Sequence, residues 1–183
     1  MTVHIRMDRK RARQSRPGPL ILILMGVSGV GKTTVGKILA KKLACSFYDA
    51  DDFHPPSNLS KMRAGTSLTD ADREPWLELL HALLSELEVQ GESAVLACSA
   101  LKESHREKLT LGLRGIRFVF LRADYDQLRE RLAQRKDHFM PLALLESQLA
   151  DLEEPVGAVV VDAGPAAPVV AAEVVRQLDL EVA

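Results

Sequence analysis

Eight consecutive residues limit what this chain can fold into. Gly26-Val27-Ser28-Gly29-Val30-Gly31-Lys32-Thr33 satisfies the pattern G-x-x-x-x-G-K-[ST], and the apolar run Leu20-Ile21-Leu22-Ile23-Leu24-Met25 leads directly into it. Strand, glycine loop and helix in that order make a phosphate cradle. The glycines let the backbone turn with its N–H groups inward, so successive amides and the positive end of the next helix can hold polyphosphate oxygens. Gly26, Ser28, Gly29, Val30, Gly31, Lys32, Thr33 and Thr34 are the candidate nucleotide-holding residues. Lys32 brings a mobile ammonium to the β- and γ-phosphates, and the Thr33 hydroxyl is a Mg²⁺ ligand. The spacing of Val35, Ile38, Leu39 and Leu43 predicts a helix over 33–43 with one buried stripe. A dinucleotide fingerprint fits less well, because the glycines fall as G-x-x-G-x-G and not as G-x-G-x-x-G.

The remainder alternates strand and helix. Residues 45–49 are short and β-prone and run into the acidic stretch Asp49-Ala50-Asp51-Asp52. Residues 57–75, broken by Gly65 and Pro75, are expected to form one or two short helices and a cap over a pocket. A helix is predicted over 76–89, burying Trp76, Leu80, Leu83, Leu84 and Leu87. Strands are expected at 94–98, 117–121 and 158–162. Helices are expected at 103–109, at 125–134 with Asp124 as N-cap, from Pro141 to Leu152, and at 168–178. Five strands alternating with helices predict an α/β fold of the P-loop NTPase or kinase type: a five-stranded parallel sheet flanked by helices, with a lid at about 131–150. Ligands of such sheets lie beyond the carboxyl ends of the strands, which puts Asp49 and Asp51 at the crevice.

Bulk numbers narrow the classes. At 183 residues the chain suits one domain, expected over 19–183. Six basic residues against Asp8 give residues 1–18 a net +5, so the rest carries −6 of the overall −1. That balance argues against a nucleic-acid-binding domain, and the basic stretch reads as a disordered leader ending at Pro17-Gly18-Pro19. No segment has the apolar core of a signal peptide or the length of a membrane span. Cys45 and Cys98 have no metal spacing and suit a reducing cytoplasm as small core residues.

Further blocks carry a family resemblance. The glycine loop, Asp49-Ala-Asp-Asp-Phe-His-Pro55, Asn58 with Lys61-Met62, Leu68-Thr-Asp-Ala-Asp-Arg73 with Pro75-Trp76-Leu77, Cys98-Ser-Ala-Leu-Lys102 with Arg106, and Arg131-Leu-x-x-Arg135 with His138-Phe-Met-Pro141 all resemble gluconokinases of the small P-loop type. These kinases are related to shikimate kinase. The blocks fall in the family's order over residues 20–163; the basic leader is the main departure. The resemblance implies transfer of phosphate from ATP to D-gluconate, giving 6-phospho-D-gluconate, often by a homodimer, with no part for nucleic acid or membrane.

On that footing each candidate has a role and a plainer alternative. Asp49 is assigned to the metal through water, with Thr33. Asp51 is assigned to the acceptor hydroxyl and, with Lys32 and Arg135, to catalysis; an aspartate here can also merely cap or solvate a loop. Arg73 offers a bidentate fork for the gluconate carboxylate and Lys102 a point charge. His54, Asn58, Lys61 and Ser99 are candidate readers of hydroxyls, and His138 is a further candidate substrate contact. Arg131 and Arg135, four apart on one helix face, are assigned to the nucleotide from the lid, although surface helix charges are commoner. Gln148 is a further candidate, Trp76 and Met62 suit core or pocket wall, and 162–165 should line the adenine pocket by its backbone. A shikimate-type kinase, or a protein whose nucleotide state controls a partner, are the competing readings.

Overall fold

The computed structural model describes residues 18–134 and 142–182. Five parallel strands form one sheet: β1 (Ile21–Met25), β2 (Ser46–Asp49), β3 (Ala94–Ala97), β4 (Ile116–Arg122) and β5 (Val159–Asp162), in the order β2-β3-β1-β4-β5. The central strand β1 is buried along its whole length, which is why its sequence is an unbroken apolar run and not an alternation. Its side chains nevertheless serve two cores. Leu22 and Leu24 pack with α1 (Lys32–Lys42), α5 (Tyr125–Ala133), α6 (Leu142–Asp151) and α7 (Ala167–Leu178). Ile21, Ile23 and Met25 pack on the other face with α3 (Asp70–Gln90) and α4 (Glu103–Thr110).

The helix after β1 therefore lies on one face and the helix after neighbouring β3 on the opposite face. This is a topological switch point, where such sheets open a crevice. Two backbone bonds hold its floor: Cys98 N–H donates to Leu24 O at 3.0 Å and Gly26 N–H to Ser99 O at 3.3 Å.

Two elements differ from the sequence expectation. Helix α3 starts at Asp70, six residues before Trp76, because Thr69 and Asp72 form a reciprocal capping box. Pro75 sits in its second turn, where the missing N–H forfeits only the bond to Ala71 O, so the proline does not break the helix. Leu77, not Leu83, completes its fully buried face. The cap region resolves into α2 (Pro56–Arg63) and a 3₁₀ turn, Ala50–Phe53, that contains Asp51. Asp124 holds the N-cap position of α5 without a side-chain cap bond. Cys98 is fully buried and Cys45 partly so.

Among the described residues no helix is long and apolar enough to cross a membrane. Arg135, His138 and Pro141 lie outside the described residues, as does the basic stretch up to Pro17.

Candidate active site

The glycine loop closes around its own lysine. Lys32 Nζ donates to Gly26 O at 2.9 Å and to Val27 O at 3.1 Å. Two glycines are required by geometry. Gly26 has φ +140° and a Cβ there would stand 2.6 Å from Leu121 O, whereas Gly31 has φ +101° at the N-cap of α1 with open space before it. That open space at a helix N-terminus is where an anion would sit.

Thr33, the second residue of α1, faces the end of β2. Its hydroxyl donates to Asp49 Oδ2 at 2.7 Å, and Asp49 Oδ1 accepts the Asp51 N–H at 3.2 Å. One carboxylate thus links the phosphate loop to the backbone of Asp51. The set is a hydroxyl and a carboxylate, hard oxygen donors of the kind Mg²⁺ takes when phosphates complete its shell. Among the described residues no cluster of three or more His, Cys, Asp or Glu forms a metal cage. Lys32, Asp51 and Asp49 all lie close enough to bias the buried Cys98 thiol, which desolvation pushes up to about 12 and so keeps neutral.

Behind the loop a pocket of about 310 Å³ runs between α1 and α7, lined by Gly29, Gly31, Thr34, Arg131, Pro165 and Ala166 among others. Arg131 builds its wall: the guanidinium donates to Ala163 O and Gly164 O at 2.8 Å each and reaches Val30 O at 3.5 Å. The expected adenine-side residues are therefore at the pocket, with Arg131 bracing them. Ser28 N–H is taken by Gln148 Oε1 at 2.7 Å.

The candidate acceptor side is assembled from side chains. His54 stacks on Trp76 with ring centroids 4.5 Å apart, and Trp76, itself buried, donates its indole N–H to Ala50 O at 2.7 Å. Trp76 is core, and its ring backs the His54 imidazole. Burial lowers the His54 pKa, with the charge of Asp51 raising it and that of Arg73 lowering it. The buried Asn58 donates to Asp72 O at 2.7 Å and lies 3.4 Å from His54 Nδ1. Lys61 pairs with Asp72 at 2.6 Å, which holds that carboxyl at about 2.

Arg73 and Lys102 converge on Asp70, the first residue of α3. Lys102 Nζ is 3.0 and 3.1 Å from its two oxygens, His105 Nε2 is 3.2 Å away and Arg73 is 3.5 Å away. These bonds lower the Asp70 pKa, Lys102 contributing most. Asp151, at the end of α6, approaches both Arg73 and Lys102 at 3.8 Å. The buried Arg106 donates to Ala100 O at 3.0 Å and Leu101 O at 2.8 Å, fixing the loop that carries Ser99 and Lys102.

Sequence reasoning brought Arg73 and Lys102 forward but not the carboxylates that hold them. Asp70 and His105 had a readable signal, since Lys102 and His105 are one turn apart and Asp70 follows an N-cap threonine. Asp151 had none.

Comparison with known proteins agrees with this construction. A family model described as shikimate kinase matches residues 28–162. The chain is 51% identical to a gluconokinase of Gluconobacter oxydans over 137 residues, covering 75% of this chain and 77% of that one. A gluconokinase structure from Sinorhizobium meliloti superposes with a TM-score of 0.79 at 40% identity, covering 90% of this chain and 94% of that one. A sugar kinase from Janibacter gives 0.82 at 36% identity, covering 88% and 95%. A phosphate loop bridged to a strand-end carboxylate, a nearby cluster of cationic side chains, and relatives this similar over this much of the chain have one reading: the chain belongs to the gluconokinase family of P-loop kinases.

Proposed function

We propose that this protein transfers the γ-phosphoryl group of ATP to the terminal hydroxyl of D-gluconate, giving 6-phospho-D-gluconate and ADP. One observation carries the reading. Asp49 joins Thr33 of the phosphate loop to the backbone of Asp51, while His54 feels both Asp51 and the Arg73 of the cationic cluster, which supports a nucleotide, a base and an anion reader acting in one crevice.

Phosphoryl transfer asks a protein chiefly for positioning and for charge. The loop amides and Lys32 hold the β- and γ-phosphates. Asp51 accepts a hydrogen bond from the 6-hydroxyl and takes its proton as that oxygen bonds to phosphorus and the bond to the ADP oxygen breaks. Arg73, with Lys102, meets the carboxylate at the other end of the acid. His54, Asn58, Lys61 and Ser99 are then near the hydroxyls between. In this reading Arg135 neutralises charge on the transferring group and His138 touches the acceptor, assignments that rest on the family pattern alone.

Thr33 would ligate Mg²⁺ and Asp49 would hold one of its waters; bound there with the nucleotide, the ion supplies neutralising charge to the phosphates. A cytoplasmic location and a homodimeric assembly complete the proposal, and sedimentation equilibrium returning a monomer removes the second. The experiment for the activity is a coupled assay of ADP formation across a panel of sugar acids. Gluconate should be the preferred acceptor; turnover of shikimate or of a different acid with gluconate inert would leave the kinase and discard the substrate.

A further inference from the structure

Helix α6 touches both ends of the crevice through residues one turn apart. Gln148 Oε1 accepts the Ser28 N–H at 2.7 Å, and the Asp151 carboxylate stands 3.8 Å from Arg73 and from Lys102. Both contacts present an oxygen to a group whose function is to receive an oxygen. Ser28 N–H is one of the inward amides of the phosphate loop, and the two cations are the acceptor's anion readers. Asp70 also holds those cations, but it rides on the same helix as Arg73, whereas Asp151 arrives from a separate element.

The helix does not depend on these contacts for its place. Leu145 is fully buried in the α1–α7 core and Leu152 packs against both cores. Just beyond, Glu153 N–H donates to Leu101 O at 3.0 Å and its carboxylate takes the Glu103 N–H at 2.5 Å. Gln148 and Asp151 are partly exposed. Their contacts can be lost while the docking remains.

We propose that α6 is an internal anion mimic that competes with both substrates and thereby couples them. Nucleotide phosphate displaces Gln148 from Ser28, gluconate displaces Asp151 from Arg73 and Lys102, and either displacement lets the 148–151 turn shift on its Leu145 and Leu152 anchors, which weakens its hold on the other site. Each substrate then raises the affinity for the other, by the same factor in both directions. This rests on the gluconate kinase reading given above.

The test is isothermal titration of a non-hydrolysable ATP analogue and of gluconate, each alone and with the other saturating, on the wild type, Gln148→Ala, Asp151→Asn and the double variant. Removing a competitor tightens binding, whereas removing a merely structural contact weakens it. Asp151→Asn should bind gluconate about two- to fivefold tighter, the scale of an exposed ion pair. Gln148→Ala should bind the analogue tighter by about fivefold, the scale of one hydrogen bond. The mutual enhancement seen in the wild type should fall towards one in the double variant. Weaker or unchanged binding in the single variants, or full enhancement in the double, overturns the coupling while gluconate turnover by the wild type leaves the kinase reading standing. A wild type that neither binds nor phosphorylates gluconate overturns both.

Discussion

At the proposed nucleotide end of the crevice the candidate recognising groups are mostly backbone, drawn from the continuous stretch Gly26–Thr34, whereas at the proposed acceptor end they are side chains from the 3₁₀ turn and the residue after it, α2, α3 and the loop after β3. The difference shows in how each end satisfies itself. Lys32 folds onto carbonyls of its own loop, while Arg73, Lys102 and His105 gather on the carboxylate of Asp70. Backbone geometry can be changed only as a whole, so damage to the first end should be close to all-or-none. Side-chain pairs can be removed singly, so the second end should fail by degrees.

The largest effect should come from Lys32→Ala, with turnover falling by ~10³–10⁵-fold, the range for charge that meets a transferring phosphoryl group. Circular dichroism should be unchanged, because Lys32 is not core; a normally folded variant with normal turnover breaks the comparison at its stronger end. Asp51→Asn keeps the size and part of the hydrogen bonding but loses the anionic acceptor. Its kcat should drop by ~10²–10⁴-fold if proton removal is fully expressed, and by less if the transition state is so loose that the proton leaves late.

Arg73→Ala should act on the acceptor and not on the chemistry, raising the gluconate KM by ~10–100-fold. That is the lower part of the range for a charge-assisted partner, because Arg73 keeps 17% of its side chain in solvent. Steady-state kinetics that show an unaltered KM here, with a raised KM in Lys102→Ala or His54→Ala, would reverse the orientation of the acid.

The smallest effect concerns pH. Burial lowers the pKa of His54 and of His105, so the unfolded chain takes up protons near the usual ~6.5 while the folded chain resists until lower pH. Stability is therefore complete above that value and declines as pH falls through it, levelling once the folded histidines also protonate. Urea midpoints measured between pH 7.5 and 5.5 should fall for the wild type and fall less steeply for His54→Gln; equal slopes would remove His54 from the account.

The two ends were also unequally legible. The loop could be read because all its determinants lie within one strand, one turn and one helix. The start of α3 was misplaced because Pro75 was weighed as a breaker, although the Thr69 to Asp72 capping signal stood six residues earlier and wins by satisfying first-turn donors. The stacking of His54 on Trp76, and the meeting of Asp70, Lys102 and Asp151, join residues tens of positions apart. Residue type nominated some of these, but only chain topology decides which carboxylate reaches which cation. Arg131 shows the same limit from the other side, since its helix face was readable and its hold on Ala163 and Gly164 was not.

The alternating side chains of β1 bear on how such a kinase can acquire a new acceptor. Ile21, Ile23 and Met25 answer to one core and Leu22 and Leu24 to the other, with the sheet as the wall between them. Apart from Leu152, which packs against both cores, packing changes among α3 and α4 are thus screened from the helices that shape the glycine loop. Residues 50–110 form a contiguous cassette that carries most of the candidate acceptor groups, so a lineage or a designer can rewrite that cassette while the proposed nucleotide half stays under its own packing constraints. Divergence of substrate within this architecture should accordingly concentrate in one stretch of the gene.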